Sequence, residues 1–262
     1  MIGAIIGDTV GSVYEFDNIK TKDFEFLTPK CFPTDDSMMT LAVAGAILDS
    51  GCNFAGFEDN LIDRMKEIGR ENPGAGYGGR FRIWLRSDDR KPYNSWGNGS
   101  AMRVSPCGFA AKSLEEAENL AERSAAVTHN HPEGIKGAKA VAAAIYLAKT
   151  GSSKEEIKKY IEDNYYKLDF TLDEIRPTYP FDESCMGTVP QALECFFEST
   201  DFEDSIRNAI SLGGDCDTTA AMVGGISEAF YGVPEAYCKR IRSYLAPKYL
   251  EIIDNFESKY QK

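Results

Sequence analysis

Two short acidic clusters are the residues of this sequence best suited to chemistry. Residues 34–36 read Thr-Asp-Asp and residues 215–218 read Asp-Cys-Asp-Thr, and each cluster stands at the start of an apolar, helix-like segment. An ordinary helix N-cap is one interpretation, because Asp, Ser and Thr are preferred there. A cap needs one such side chain, however, and neighbouring carboxylates repel each other. A divalent cation would relieve that repulsion and explain the surplus of charge.

The donor atoms indicate which cation would fit. Two such clusters, brought face to face, would offer about six hydroxyl and carboxylate oxygens, a set that favours magnesium, manganese or calcium. Zinc is disfavoured, because no His or Cys stands at ligand spacing beside either cluster. An EF-hand is excluded, because Ala220 and Ile226 occupy positions where that loop needs Gly and Glu.

Two further motifs could bind a ligand. Residues 95–103 read Ser-Trp-Gly-Asn-Gly-Ser-Ala-Met-Arg, and a glycine-rich run entering a helix presents free backbone amides to an anion. The alternative is ordinary turn chemistry. His129 and His131 are the two histidines of the sequence. A neutral imidazole could bond ribose hydroxyls, whereas a histidine that caps a helix is the alternative.

The N-terminal segment carries a second pattern. Gly3, Gly7 and Gly11 are spaced four apart, so on a helix they share one face and would let another element pack closely. Asp8 and Glu15 are seven apart and would lie near one face, two turns from each other. A lone acid in such a segment is usually solvated, so the interest of both depends on what else converges there.

Composition limits the function classes. The 262 residues include 41 acids and 29 bases, for a net charge of −12. Such a charge argues against nucleic-acid binding, which needs a basic face, and would repel a phosphorylated ligand unless amides, helix N-termini or cations overrode it locally. The seven cysteines form no Cys-x-x-Cys motif and suggest reduced thiols in a cytoplasmic protein. We find no signal peptide and no membrane-length apolar segment.

Helical patterning dominates the chain, and period-two runs of β-branched residues are scarce. We therefore predict an all-α protein whose residues 1–262 form a single domain. Two stretches, 71–100 and 167–183, are predicted to be non-helical. The predicted helices are 37–49, 54–70, 114–127, 132–149, 153–165, 184–197, 202–212, 218–231 and 234–260.

The motifs and their order resemble the ADP-ribosylglycohydrolase family, which includes the bacterial dinitrogenase reductase-activating glycohydrolase and the eukaryotic ADP-ribosyl hydrolases. The resemblance covers roughly residues 1–232. It rests on six elements in order: Gly-Ala-Ile-Ile-Gly-Asp at 3–8, Glu15, Thr-Asp-Asp-Ser at 34–37, Gly-Asn-Gly-Ser-Ala-Met-Arg at 97–103, Thr-His at 128–129 and Gly-Gly-Asp-Cys-Asp-Thr at 213–218.

The resemblance implies a single-domain orthogonal bundle of roughly ten or more helices around a binuclear magnesium or manganese site. The implied metal ligands are Thr34, Asp35, Asp36, Asp215, Asp217 and Thr218. The implied catalytic carboxylates are Glu15, Asp35 and Asp36. The implied substrate-binding residues are Gly78, Gly79, Ser95, Trp96, Gly97, Asn98, Gly99 and His129.

The activity that the resemblance implies is hydrolysis that releases ADP-ribose from a protein side chain or from a small ADP-ribose conjugate. Cleavage builds positive charge on the sugar, as in other glycoside hydrolysis. Two metal ions could bind the ribose hydroxyls and orient a water, with a carboxylate as general base. Arginine is the favoured acceptor, because the Gly-Asn-Gly-Ser and Asp-x-Asp-Thr motifs look closest to the bacterial branch.

Two other functions are compatible with parts of the sequence. The run from Asp215 to Thr219 also fits the nucleophile loop of haloacid dehalogenase-type phosphatases, but that loop follows a buried strand, and residues 206–212 look helical. An ADP-ribose-binding relative without activity is the non-enzyme alternative. Such relatives usually lack some acidic ligands, whereas here the acidic set is complete.

Overall fold

Helices make up the regular secondary structure of this protein. The computed structural model describes residues 1–261, and over that range it contains fifteen α-helices, two short 3-10 helices at Gly51–Asn53 and Arg242–Tyr244, and no strand. The prediction of an all-α fold is therefore confirmed. The helices are α1 Ile2–Gly11, α2 Asp35–Ser50, α3 Phe57–Glu71, α4 Gly79–Arg86, α5 Gly99–Met102, α6 Ser105–Ala110, α7 Leu114–Ala126, α8 Pro132–Lys149, α9 Lys154–Asn164, α10 Leu172–Ile175, α11 Cys185–Phe197, α12 Phe202–Leu212, α13 Cys216–Tyr231, α14 Glu235–Ile241 and α15 Pro247–Tyr260.

Local capping sets the starts of several helices. The Ser113 hydroxyl accepts a hydrogen bond from the Glu116 amide at the start of α7. Ser153 and Glu156 form a reciprocal capping box at the start of α9. These side chains satisfy backbone amides that have no partner within the helix, and such caps stabilise a helix by about 1 kcal/mol. The starts of α7 and α8 are those the sequence predicts.

Several predicted boundaries are wrong, and two differences are large. Residues 234–260 form two helices rather than one, because Pro247 lacks a backbone donor and holds Ala246 in an extended conformation. The stretch 71–100 contains α4, which buries Phe81, Trp84 and Leu85. Those three follow helical spacing, which the surrounding glycines and arginines obscured. The stretch 167–183, also predicted to be non-helical, contains the short helix α10, and α6 was not predicted either.

The N-terminal glycines create the closest helix contact in the region of the acidic clusters. A Cβ on Gly7 would overlap the backbone carbonyl of Ala220, and a Cβ on Gly11 would overlap the backbone of Asp217. The prediction that this glycine face admits a closely packed element is confirmed, and that element is α13. Close packing brings Asp8 of α1 beside the first turn of α13.

Helix α13 lies at the centre of the packing, with α1, α8, α11 and α12 around it. The buried apolar side chains form one continuous cluster that extends from Met1 to Phe256. All seven cysteines are free thiols, and five of them are buried. Within residues 1–261, no helix combines the length and the apolar character needed to cross a membrane.

Candidate active site

The two acidic clusters meet in the folded chain. The Thr218 hydroxyl donates to Asp36 Oδ2 at 3.1 Å, which joins the first turn of α13 to the first turn of α2. Carboxylate oxygens of Asp8, Asp36 and Asp217 lie within 4.8 Å of one another, as do those of Glu15, Asp215 and Asp217. We call these carboxylates together with Asp35 the acidic end of the site. Asp217 belongs to both groups and links them.

The acidic end has the properties of a cation site. Asp8, Asp36, Asp215 and Asp217 are buried, and Asp36 Oδ1 and Asp217 Oδ1 accept no hydrogen bond from the described residues. Burial, followed by the nearby charges of Asp8 and Asp35, raises the pKa of Asp36 well above its usual range. Burial and the charges of Asp36 and Asp215 do the same to the pKa of Asp217. A hard divalent cation fits this all-oxygen donor set and would compensate its charge.

Asp8 organises the first acidic cluster rather than remaining solvated as the sequence suggested. It is buried and accepts hydrogen bonds from the Thr34 amide at 2.9 Å and the Ser37 amide at 3.1 Å, and from the hydroxyls of both residues. Burial, partly offset by these bonds, raises its pKa to about 6. The sequence contained a signal for this role: α1 is apolar on every side, so its single carboxylate must be buried and must find partners.

Thr34 serves as the N-cap of α2, which therefore begins at Asp35 rather than at residue 37 as predicted. Its side-chain oxygen accepts from the Asp36 amide at 3.3 Å, and its hydroxyl donates to Asp8. Thr34 therefore bonds to the cluster on the side away from the cavity, whereas Thr218 lines the cavity.

A cavity of about 250 Å³ opens from the acidic end. Two of the site residues that the sequence predicts, Thr34 and Trp96, do not line this cavity. Trp96 is 48% exposed and packs edgewise against the ring of His131. The other proposed residues all line the cavity: Glu15, Asp35, Asp36, Gly78, Gly79, Ser95, Gly97, Asn98, Gly99, His129, Asp215, Asp217 and Thr218.

The glycine-rich segment 95–99 is held in place by backbone and side-chain bonds. The Asn98 amide donates to the carbonyl of Glu183 at 2.8 Å, and the Cys185 amide donates to the carbonyl of Trp96 at 3.0 Å. The Asn98 side chain donates to Asp215 Oδ2 at 2.6 Å. Asn98 is therefore more than a turn residue, because it connects this segment to the acidic end.

His129 is held as a neutral donor. The fully buried Arg103 donates to the Thr128 hydroxyl at 2.9 Å, and that hydroxyl lies 2.8 Å from His129 Nδ1. A hydroxyl that already accepts from Arg103 has its proton free for Nδ1, which leaves the proton of the imidazole on Nε2. Burial, with the charges of Arg103 and Arg80, lowers the pKa of His129 well below its usual value. His131 instead caps α8 by accepting from the Glu133 amide.

Two charged residues of the cavity wall, Arg80 and Glu183, were missed in the sequence. Arg80 lies in the first turn of α4 with its guanidinium over the Tyr93 ring, 5.0 Å from the centroid. It was missed because the stretch was predicted to be a loop, although an arginine after Gly-Gly at a helix start is a recognisable anion-binding pattern. Glu183 lines the cavity from the segment before α11, and no motif distinguishes it in the sequence.

Glu15 lies where the acidic end meets solvent. It is half-buried, and burial together with the charges of Asp215, Asp8 and Glu183 raises its pKa to about 7. One end of the cavity carries oxygen donors suited to a hard cation and a carboxylate of raised pKa. The other end carries backbone amides, a neutral histidine and an arginine. This combination suits hydrolysis of a phosphate-bearing glycoside.

Comparison with known proteins agrees with this reading. The family described as ADP-ribosylglycohydrolase matches residues 1–261, and the chain belongs to that family. It is 27% identical to ADP-ribosylhydrolase ARH3 from Homo sapiens, with 93% of this chain and 88% of the relative covered. It is 28% identical to ADP-ribosylarginine hydrolase Tri1 from Pseudomonas putida, with coverages of 89% and 70%.

A solved structure titled ADP-ribosylglycohydrolase-related protein complex has the same fold. It superposes with a TM-score of 0.69 at 24% identity and covers 99% of this chain and 93% of its own. The haloacid dehalogenase alternative is wrong, because α12 stands before Asp215 where that fold needs a strand, and residues 1–261 contain no strand.

Proposed function

We propose that this protein is a metal-dependent hydrolase that releases ADP-ribose from ADP-ribosylated protein side chains, with arginine as the favoured acceptor, or from a related small conjugate. The observation that carries the proposal is one cavity with two chemically opposite ends. Buried carboxylates with unpartnered oxygens form the acidic end, and backbone segments with Arg80 form the other.

Charge sets the orientation of the ligand. The diphosphate of ADP-ribose is anionic and is repelled by the acidic end, so it belongs beside Gly78, Gly79 and Arg80 and beside the segment 97–99. Glycines there let the backbone approach a phosphate closely. The ribose that bears the acceptor then points toward Glu15 and the aspartates.

The acidic end would hold two divalent cations, Mg2+ or Mn2+, through Asp35, Asp36, Asp215, Asp217 and Thr218. Bound there, such ions supply Lewis-acid charge and fix the orientation of ribose hydroxyls and a water. Asp8 keeps the Thr34 to Ser37 turn in shape by its four hydrogen bonds.

The remaining steps belong to side chains of the chain itself. Glu15 lines the cavity at its solvent side. We propose Glu15 as the general base that takes the proton of the attacking water, with Asp35 and Asp36 as the other candidates. His129 presents Nε2–H to the cavity, where it can donate to a ribose hydroxyl. Arg103 and Thr128 maintain that tautomer.

The test is a panel of arginine-linked, serine-linked and small-molecule ADP-ribose substrates, scored for free ADP-ribose with Mg2+, with Mn2+ and with chelator. We expect release from arginine-linked substrate that depends on the metal and is lost in Asp35→Asn and Asp217→Asn. Full activity of both variants would refute the metal assignment. Binding of ADP-ribose without release from any substrate would replace hydrolysis by a binding function.

A further inference from the structure

Two exposed aromatic rings stand beside the acidic end. Phe16 is 85% exposed and Phe181 is 47% exposed, and their rings stack with centroids 6.2 Å apart and an interplanar angle of 19°. Phe16 follows Glu15 directly and Phe181 precedes Glu183 by two residues, and both glutamates line the cavity. Paired large apolar side chains left in solvent next to a cavity indicate a contact surface for a ligand.

The backbone of Glu183 is held at the same place. Its carbonyl accepts from the Asn98 amide at 2.8 Å, and the Asn98 side chain donates to Asp215 at 2.6 Å. Glu183 lines the same cavity wall as Glu15 and Asp215, and its negative charge contributes to the raised pKa of both. The ion pairs found within residues 1–261 do not include Glu183.

The combination selects one kind of ligand group. A phosphate would be repelled by Glu183 and Glu15, and a neutral hydroxyl would gain nothing from stacked rings. A guanidinium satisfies both features, because it bonds a carboxylate through two parallel N–H groups and packs its plane on an aromatic face. An arginine that carries ADP-ribose places its guanidinium at the sugar carbon, which is the end of the cavity where these side chains lie.

We infer that Phe16, Phe181 and Glu183 form a rim that binds the guanidinium of ADP-ribosylated arginine and so determines the acceptor. The inference rests on the proposed function, since it takes an ADP-ribosylated side chain as the ligand. Glu183 supplies the charge-assisted hydrogen bonds, and the two rings supply the stacking surface.

Binding measured without turnover tests the rim. The probes are two peptides of one sequence that carry ADP-ribose through a non-hydrolysable carbocyclic ribose, one on arginine and one on serine, titrated calorimetrically in Mg2+. We expect the wild-type protein to bind the arginine peptide about tenfold more tightly. Glu183→Gln should remove most of that preference, measured as the ratio of the two peptide Kd values, and Phe181→Leu should reduce the ratio about threefold.

The matched control is Glu115→Gln, which removes the same charge from an exposed position at the start of α7 and should keep the full preference. Equal binding of the two peptides by the wild-type protein, or an undiminished preference in Glu183→Gln, would overturn the inference. Hydrolysis of the natural linkages is scored separately. A wild-type protein that prefers the arginine peptide but releases no ADP-ribose would contradict the proposed function and leave the rim intact.

Discussion

The two ends of the cavity are built in different ways. The acidic end comes from α1 and the segment after it, and from the starts of α2 and α13, and its residues Asp8, Asp36, Asp215 and Asp217 are buried. The opposite end comes from the glycine-rich segment 95–99 and the exposed first turn of α4, where Arg80 reaches solvent. A rigid core can hold carboxylates against their repulsion, whereas loops can adapt to a flexible nucleotide. Changes at the first end should therefore have the larger effects.

The largest effect is expected from Asp217→Asn. Asp217 belongs to both carboxylate groups, so its loss should lower kcat/KM on the arginine-linked substrate roughly 1000-fold, about 4 kcal/mol. It should also abolish the rise in Tm that Mg2+ gives the wild-type protein. Calorimetry with Mg2+ and with chelator checks the second part. A variant with the wild-type Mg2+ shift would show that the two groups do not share this ligand.

A packing change that touches no ligand should disturb the same end. In Gly7→Val the new side chain would overlap the Ala220 carbonyl and push α1 from α13, at a cost of about 3 kcal/mol in the free energy of unfolding. Denaturant unfolding measures it. The control is Gly74→Ala, where a Cβ meets nothing within 4 Å and the change should stay below about 1 kcal/mol. Equal effects of the two variants would contradict the close packing.

A smaller effect, dependent on pH, is expected at His129. Its folded-state pKa lies well below 6.5, so below pH 6.5 the unfolded chain binds a proton that the folded chain does not, and stability is lost as pH falls. In His129→Gln this loss disappears. From pH 7.5 to 5.5 the stability of the wild-type protein relative to the variant should fall by about 1.4 kcal/mol. A constant difference across that range would mean that His129 protonates freely in the folded protein.

The smallest effect is expected at Arg80. Its guanidinium is exposed, so solvent screens its attraction for the diphosphate, and Arg80→Gln should weaken ADP-ribose binding by about 1 kcal/mol, or roughly fivefold. Titrations at low and high salt measure this, and the loss should shrink as salt rises. Arg86→Gln on the same helix, outside the cavity walls, is the matched control. If both variants bind alike, the diphosphate lies elsewhere.

The sequence revealed the acidic end better than the opposite end. The paired aspartates stand out because they exceed what a cap needs, and the four-residue glycine spacing indicates a close contact whatever the partner. Glu183 gave no such signal, and the Gly-Gly-Arg run at 78–80 indicates anion binding only where a helix starts there, which the sequence did not predict. Their positions depend on the folding of α4 and on backbone bonds between segments 95–99 and 183–185, and long-range pairing of that kind leaves no periodic pattern.

Asp8 and the C-terminal helices show a different limit. Burial of Asp8 follows from the all-round apolar character of α1, which the sequence displays, but its partners Thr34 and Ser37 are far away in the chain. The division of residues 234–260 depended on one proline in an otherwise helical pattern. Such a boundary is set by the steric effect of Pro247 on the residue before it, and the spacing of apolar residues does not reveal it.

The hydrogen bonds of Asn98 have a thermodynamic consequence. The Asn98 side chain donates to Asp215, while the Asn98 backbone amide donates to the Glu183 carbonyl and so holds the segment 95–99 at the opposite end. A ligand that displaces Asn98 changes the field that a cation experiences at Asp215, and linkage requires the cation to change the affinity of that ligand by the same factor. A cation and a nucleotide bound as proposed would therefore act as mutual effectors, and the apparent Kd of either would have to be measured at a stated concentration of the other.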